Sequence, residues 1–95
     1  MVEVTSAQYV DGYRIRVAFN TGESGTVDLK DALWGPVFEP LRDPSVFRRF
    51  ELSKTLQTIC WENGADFAPE FLLEKMVEQS RNVTSASGDS GGTTR

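Results

Sequence analysis

Histidine is absent from this chain of 95 residues, and cysteine occurs once, at Cys60. Without histidine, the sequence has no serine–histidine triad and lacks the commonest ligand of transition metals. A single cysteine excludes an intramolecular disulfide and a cysteine zinc cluster, and no histidine is present to activate its thiol as a nucleophile. We therefore predict that the protein is not an enzyme, that it binds no metal and no cofactor, and that Cys60 packs as a small half-buried residue.

The chain also lacks a basic excess and long apolar runs. Its formal net charge is −4, from 14 acidic and 10 basic residues, so we expect no general nucleic-acid binding. No run approaches the roughly 20 apolar residues of a membrane-spanning helix, and the N-terminal residues do not show the basic-then-apolar order of a signal peptide. The expected location is therefore the cytoplasm, without membrane contact.

A regular alternation of side chains marks the first third of the sequence. Residues 13–20 alternate apolar with mostly polar side chains, which predicts a strand with one buried face. Asp11-Gly12 is a two-residue hairpin signal that joins this strand to a less regular one over residues 2–10. A short third strand is expected over residues 26–29. These three strands predict an antiparallel meander.

Helical signals and a second hairpin follow the meander. The predicted elements are a helical turn over 30–35, a short helix over 43–50 with Asp43 as its N-cap, strands over 50–53 and 56–61, and a longer helix from Pro69 to about Gln79. The expected class is α+β: a mainly antiparallel sheet, three-stranded meander plus hairpin, with helices packed on one face. Residues 1–80 are predicted to form one domain. Residues 81–95 are rich in Ser, Thr and Gly and are predicted to be a disordered tail.

Three acidic residues, Glu62, Asp66 and Glu70, lie near the turn at Asn63. Carboxylates at such spacing can serve a divalent cation or general acid–base chemistry. The calcium-loop pattern is absent, however, and aspartate commonly accepts hydrogen bonds from backbone N–H groups in turns. We therefore expect Asp66 to stabilise the turn or the segment after it, and the alternative is a small ligand site near Trp61.

Two arginines lie on one face of the predicted second strand. Arg14 and Arg16 point away from the apolar face, so they share the open side of the sheet if helices cover only one side. Cross-strand acids such as Glu3 are expected beside them. A solvated face is favoured here, and a partner-binding or dimerising face is the alternative, because arginine is enriched at interaction hot spots.

The two tryptophans are candidates for either the core or a contact surface. Trp61 alternates with Ile59 in a predicted strand and is expected to pack inward. Trp34 precedes a Gly-Pro pair, and we favour the core for this residue as well, since large aromatic side chains supply much of the buried area of a small domain. The alternative is an exposed apolar patch that Trp34 forms with Phe38.

Several motifs follow one another in a characteristic order. They are Asp28-Leu29, a Gly-Pro-Val-Phe-x-Pro-Leu segment at 35–41, Asp43-Pro44, Trp-x-Asn-Gly-Ala-Asp at 61–66, and Pro69-Glu70. With these motifs, residues 1–77 resemble the small bacterial family called domain of unknown function 2442. The family commonly has proline where this chain has Glu62, and tyrosine where it has Leu73.

The resemblance implies an α+β fold with a mainly antiparallel sheet covered by helices, and no established activity. Some relatives are encoded beside a second small protein in arrangements that suggest a toxin and antitoxin pair. Others carry an added helix-turn-helix domain, which is not expected in a chain of this length. The resemblance thus suggests an antitoxin-like or accessory member of a two-protein bacterial system.

From residues and resemblance together, we predict a non-catalytic protein-interaction module whose partner is a second protein or another copy of the chain. The candidate binding residues are Arg14, Arg16, Trp34, Trp61, Asn63 and Asp66. The alternative is a small ligand-binding domain or enzyme that uses the carboxylates of residues 61–70. A transcriptional regulator is the weaker alternative, and it would require a basic stripe formed by Arg14, Arg16, Arg48 and Arg49.

Overall fold

The computed structural model describes the backbone of residues 1–87 and the side chains of residues 1–80. Five strands, two 3-10 turns and two α-helices make up this part of the chain. In chain order they are β1 (Val4–Asp11), β2 (Arg14–Phe19), β3 (Ser24–Asp28), the 3-10 turns Lys30–Ala32 and Glu39–Arg42, α1 (Pro44–Phe47), β4 (Glu51–Ser53), β5 (Thr58–Cys60) and α2 (Pro69–Ser87).

The first three strands form an antiparallel sheet in the order β1-β2-β3, as the alternation predicts. Ile15 lies between Tyr9 and Val27 in the register and is fully buried, so its face of the sheet is the core face. Gly12 turns the chain between β1 and β2 with a positive φ of 46°, a conformation that glycine adopts without steric cost. The predicted meander is confirmed.

The second hairpin adjoins the outer edge of the meander. β4 and β5 pair antiparallel, with Leu52 opposite Ile59. The N–H of Val4, at the start of β1, donates to the carbonyl of Gln57 at 2.9 Å, which links the two sheets. The combination of meander, hairpin and a helix packed on one face confirms the α+β class.

One hydrophobic core lies between the meander, the second hairpin and α2. Its most completely buried large side chains are Ile15, Val17, Val27, Leu29, Leu33, Leu41, Phe47, Ile59 and Leu72. Helix α2 approaches β3 closely at Gly25, where an added Cβ would lie 3.0 Å from the sulfur of Met76. The missing side chain at Gly25 therefore allows the helix to lie against the core face.

Two element boundaries differ from the sequence-based predictions. The short helix expected over residues 43–50 is a single turn, α1, although Asp43 caps it as predicted. Helix α2 starts at Pro69 as predicted but continues to Ser87 instead of ending near Gln79. The predicted disordered tail, residues 81–95, overlaps the last turns of this helix, and its residues 88–95 lie outside the described residues.

The side chain of Gln79 joins α2 to the free edge of β3. Its Oε1 accepts a hydrogen bond from the N–H of Asp28 at 2.8 Å, and its Nε2 donates to the carbonyl of Asp28 at 2.8 Å. A primary amide thus pairs with both backbone groups of one strand residue, in the way that a neighbouring strand would. This contact satisfies edge groups that are otherwise available for pairing with another chain.

We expect Gln79→Ala to lower the free energy of unfolding by about 1–2 kcal/mol, because two hydrogen bonds are lost at a partly exposed position. Urea unfolding followed by circular dichroism measures the change. Glu78→Ala, at the adjacent exposed helix position, is the matched control and should change stability by less than about 0.5 kcal/mol. Equal effects of the two substitutions would contradict a specific role for the amide.

A second test concerns the carboxylate that caps α1. Asp43 Oδ1 accepts hydrogen bonds from the N–H of Ser45 at 3.0 Å and from its hydroxyl at 2.8 Å. These bonds from Ser45 lower the pKa of the Asp43 carboxyl below its usual value. The stabilisation by the charged cap is therefore present above the unfolded-state pKa of about 3.9, and it is lost as the pH falls through the folded-state pKa.

We expect Asp43→Asn to reduce the loss of melting temperature between about pH 5 and pH 2, because asparagine caps the helix without titrating. Thermal unfolding of both proteins at several pH values measures the slopes. The carboxyls elsewhere in the chain titrate in both proteins, so only the difference between the slopes reports on Asp43. Equal slopes of melting temperature against pH for the two proteins would contradict the role of the charged Asp43 side chain as a stabilising cap.

Candidate interaction surface

An apolar segment is turned outward after the first 3-10 turn. Leu33 is buried in the core, whereas the next residue, Trp34, is 69% exposed and Val37 is 47% exposed. Gly35 adopts a φ of +90°, and its carbonyl accepts a hydrogen bond from the N–H of Phe38 at 3.1 Å, which closes the turn. The favoured prediction that Trp34 lies in the core is wrong, because the left-handed conformation of Gly35 reverses the chain directly after it.

A row of three stacked phenylalanine rings adjoins this segment. The ring of Phe38 stacks on Phe67 with centroids 4.8 Å apart, and Phe67 stacks on Phe71 with centroids 5.4 Å apart. Phe67 is buried, whereas Phe71 on the first turn of α2 is 38% exposed. We call Trp34, Val37, Phe38 and Phe71 the aromatic surface, with the buried Phe67 ring beneath it.

Trp61 supports the aromatic surface from within and is not part of it. Its side chain is 5% exposed, its ring contacts Phe67 edge-on at 5.8 Å, and its indole Nε1–H donates to the carbonyl of Phe47 at 2.8 Å. The prediction that Trp61 packs inward is therefore confirmed. At the aromatic surface, Trp61 acts through the Phe67 ring that it contacts.

Asn63 connects the turn after β5 to the exposed segment. Its Nδ2 donates to the carbonyl of Val37 at 2.9 Å, and its Oδ1 accepts from the N–H of Ala65 at 3.1 Å. Gly64, with a φ of +93°, completes the turn. The Asn-Gly turn was expected, but its hydrogen bond to Val37 crosses 26 residues of sequence and has no signal in the local pattern.

The role that the sequence assigns to Asp66 is performed by Asn63. Asp66 is exposed and forms an isolated backbone bridge with Cys60, while the side-chain bond to the turn comes from Asn63. Within residues 1–80 the Asp66 carboxylate accepts no hydrogen bond, so the prediction that it stabilises the turn or the segment after it is wrong. Within residues 1–80, no group of three or more His, Cys, Asp or Glu side chains is arranged to bind a metal ion.

A shallow pocket lies on the side of the second hairpin. Its volume is about 360 Å³, and it is lined by Arg49, Glu51, Cys60, Trp61 and Glu62. Cys60 is half-buried there. The pocket contains two of the residues that the ligand-binding alternative requires, Trp61 and Glu62, but the candidate Asp66 is not among its lining residues.

Arg14 and Arg16 lie on the open face of the meander, as predicted, but with other neighbours. Arg14 forms a two-point contact with Asp11, Nε to Oδ1 at 2.7 Å and Nη2 to Oδ2 at 2.5 Å, and this contact lowers the pKa of the Asp11 carboxyl. Arg16 lies opposite Gln8 and Thr26. The predicted cross-strand acids are present, since Asp11 and Asp28 lie opposite Arg14 on the two neighbouring strands. The example Glu3 is wrong, because the register places it near Asn20, beyond the end of β2.

The four arginines required for a basic stripe lie on different sides of the molecule. The Arg48 guanidinium lies 5.1 Å from the ring centroid of Tyr9, whose register partner is the core residue Ile15. Arg14 and Arg16 occupy the opposite face of the same sheet. Arg49 lines the pocket beside the second hairpin. The fold therefore separates Arg48 from Arg14 and Arg16 instead of gathering the four arginines on one face.

The sequence pointed to Trp34 and Phe38 as an exposed patch only as an alternative, and it did not single out Val37, Phe67 or Phe71. A signal for the last two exists in the sequence. Phe67 and Phe71 are four residues apart at the start of a helix, and Phe71 falls outside the stripe of Leu72 and Met76 that faces the core. An aromatic residue beside the core stripe of a helix is a sign of a second contact.

We expect Asn63→Asp to lower the free energy of unfolding by about 0.5–1.5 kcal/mol. The substitution keeps the acceptor for Ala65 but replaces the donor to Val37 with a carboxylate oxygen. Amide hydrogen exchange over residues 35–39 should accelerate, since this bond fixes the exposed segment. Glu62→Asp, at the preceding exposed residue, is the control and should leave exchange in that segment unchanged.

Comparison with known proteins places these features in a wider group. Among solved structures, the chain is similar to the "Putative DNA Binding Protein NE0471 from Nitrosomonas europaea ATCC 19718", with a TM-score of 0.74 and 25% sequence identity. The similarity covers 85% of this chain and 52% of that one, so the chain spans about half the length of this neighbour. No curated protein matches.

Two further findings concern membrane-spanning helices and the family to which the chain belongs. None of the helices within residues 1–87 is both long and apolar enough to cross a bilayer. A family model described as "Protein of unknown function (DUF2442)" matches residues 4–78, which confirms the resemblance seen in the motifs. The meander, the second hairpin, the Asn63 turn and most of α2 up to residue 78 all fall within this match. The chain therefore belongs to the DUF2442 family, whose function is not established.

Proposed function

We propose that this chain is a non-catalytic protein-interaction module of the cytoplasm that binds its partner through the aromatic surface. The observation that carries the proposal is the 69% exposure of Trp34, together with the exposure of Val37, three residues later, and of Phe71, whose ring is connected to Phe38 through the stacked Phe67. Tryptophan is enriched among the residues that dominate binding energy at protein interfaces. Contiguous exposed apolar side chains on a small domain commonly mark such a contact.

The area available for burial is sufficient for Trp34 to act as a central contact. A large aromatic side chain buries about 150–250 Å², so the exposed 69% of Trp34 corresponds to on the order of 100–170 Å². At about 25 cal/mol per Å², covering this area contributes about 3–4 kcal/mol. That amount is within the range measured for dominant interface residues.

The surface is also ordered before it binds. Asn63 fixes the carbonyl of Val37, and the rings of Phe67 and Trp61 support Phe38 and Phe71 from below. Side chains and loops that are already fixed lose less conformational entropy on association. This pre-ordering favours a contact with a defined partner over a loose association.

The family resemblance supports a two-protein arrangement, in which the chain is the antitoxin-like or accessory member. In that arrangement the bound partner is a second small protein, and the exposed apolar residues are covered in the complex. A homodimer is the alternative occupant of the same surface. Both arrangements use the chain for binding and neither requires chemistry from its carboxylates.

DNA binding is the second candidate, because the similar solved structure is that of a protein named "Putative DNA Binding Protein". The similarity covers only half of that protein, and the present chain has a net charge of −4. Its arginines Arg14 and Arg48 lie on different faces, whereas DNA-binding surfaces concentrate basic residues on one. These features favour a protein as the partner.

Trp34→Ala and Val37→Ala should each weaken partner binding by about tenfold or more while changing the free energy of unfolding by less than about 0.5 kcal/mol. The tagged protein is used to recover companions from its native host under reducing conditions. Mass spectrometry identifies them, and light scattering gives the molar mass of the complex. A stoichiometric second protein, retained by the wild type and lost from both variants, is the expected result.

Leu56→Ala is the matched control, since Leu56 is 48% exposed on the turn of the second hairpin and Val37 is 47% exposed. This variant should retain the companion. The proposal fails if the wild type recovers no stoichiometric companion and remains a monomer. It also fails if the companion binds the Trp34 and Val37 variants as well as it binds the wild type.

A further inference from the structure

We infer that the partner of the aromatic surface is a basic apolar segment: a stretch of chain whose aromatic or aliphatic side chains cover Trp34 and Phe71 and whose lysines or arginines flank them. The inference rests on the proposed function and adds the chemistry of the ligand. It follows from the charges that surround the surface.

Exposed carboxylates lie next in sequence to the residues of the aromatic surface and its supports. Glu39 follows Phe38, and Glu70 precedes Phe71. The two others are Glu62, which precedes Asn63, and Asp66, which precedes Phe67. We call Glu39, Glu62, Asp66 and Glu70 the acidic rim.

The acidic rim has no cationic partner in the described part of the chain. Among residues 1–80, the ion pair within 4 Å is Arg14 with Asp11, on the open face of the meander. None of the rim carboxylates takes part in a side-chain hydrogen bond there either. Their charges are therefore available to a ligand, and a partner would not have to break an existing pair to reach them.

Three cations lie near the same surface or its acidic rim and reduce the negative charge without reversing it: Lys75, Arg42, and Arg49, which lines the shallow pocket together with Glu62. Lys75 Nζ lies 5.9 Å from the ring centroid of Phe71, and Arg42 Nε donates to the carbonyl of Leu33 at 2.6 Å. Arg42 is thus occupied by an internal hydrogen bond. Four rim carboxylates against three cations leave the surroundings of the aromatic surface net negative.

The charge distinguishes between the possible occupants. A second copy of the chain, docked by the same surface, would bring two acidic rims together, and like charges across an interface are costly. Nucleic acid and acidic segments would meet the same repulsion. A basic segment gains attraction from the rim and burial from the aromatic residues, so it is the occupant that the surface fits best.

Selection from a random peptide library displayed on phage tests this chemistry directly, with the full chain immobilised and Trp34→Ala as the counter-selection target. We expect the enriched peptides to combine aromatic or aliphatic residues with a positive net charge. Their affinity for the wild type should fall by about tenfold as salt rises from low concentration to about 0.5 M, because screening weakens contacts between exposed charges.

Two double variants that remove the same number of charges separate a local effect from a general one. Glu39→Gln with Asp66→Asn removes two charges from the acidic rim, whereas Glu3→Gln with Glu23→Gln removes two beside the end of β2. We expect the rim variant to weaken binding of the selected peptides by about threefold to tenfold. The control variant should change it by less than about twofold.

The remaining outcomes bear differently on the proposed interaction module and on the inference that its partner is a basic segment. Neutral or acidic peptides that require Trp34, or equal effects of the two double variants, would overturn the basic-segment inference and leave the interaction module in place. If the selection yields no peptide that prefers the wild type over Trp34→Ala, the basic-segment inference is overturned as well. The proposed function as an interaction module would then be tested separately, by whether a companion protein is recovered from the host.

Discussion

The position of Phe47 is the constraint on which the rest of the structure depends. Its ring contacts Tyr13 from the meander at 5.5 Å and Trp61 from the second hairpin at 5.7 Å, and its carbonyl accepts the indole N–H of Trp61. The hydroxyl of Tyr13 in turn donates to the carbonyl of Arg42. Residues 29–50 contain little regular structure, so these contacts fix their path across the core. Arg42 also holds the residue before Trp34, since its Nε donates to the carbonyl of Leu33, and the positive φ of Gly35 then turns the chain outward.

The aromatic surface combines exposure with rigidity, and this combination supports a binding role more strongly than exposure alone. Single exposed apolar residues are normal on small proteins. Here the exposed side chains lie over stacked rings that continue into the core, and the amide of Asn63 fixes the backbone of Val37. A flexible loop would lose more entropy on binding than this surface does.

Charge gives the surface its selectivity. The open face of the meander carries Arg14 in an ion pair with Asp11, whereas the carboxylates around the aromatic surface have no such partner among the described residues. The molecule thus has a polar face with an internal ion pair and an apolar face whose neighbouring carboxylates form no ion pair among the described residues.

The sequence by itself determined the α+β class, the meander, the α1 cap and the inward position of Trp61, because alternation, capping and turn residues act over a few neighbouring positions. The motifs from residue 28 to residue 70 also determined the family. Only the tertiary structure decided that Trp34 faces solvent, that Asn63 performs the role expected of Asp66, and that Gln79 pairs with the edge of β3. Each of these depends on where distant segments meet: 26 residues separate Asn63 from Val37 and 51 separate Gln79 from Asp28. Local patterns carry no information about such distances, so packing decides them.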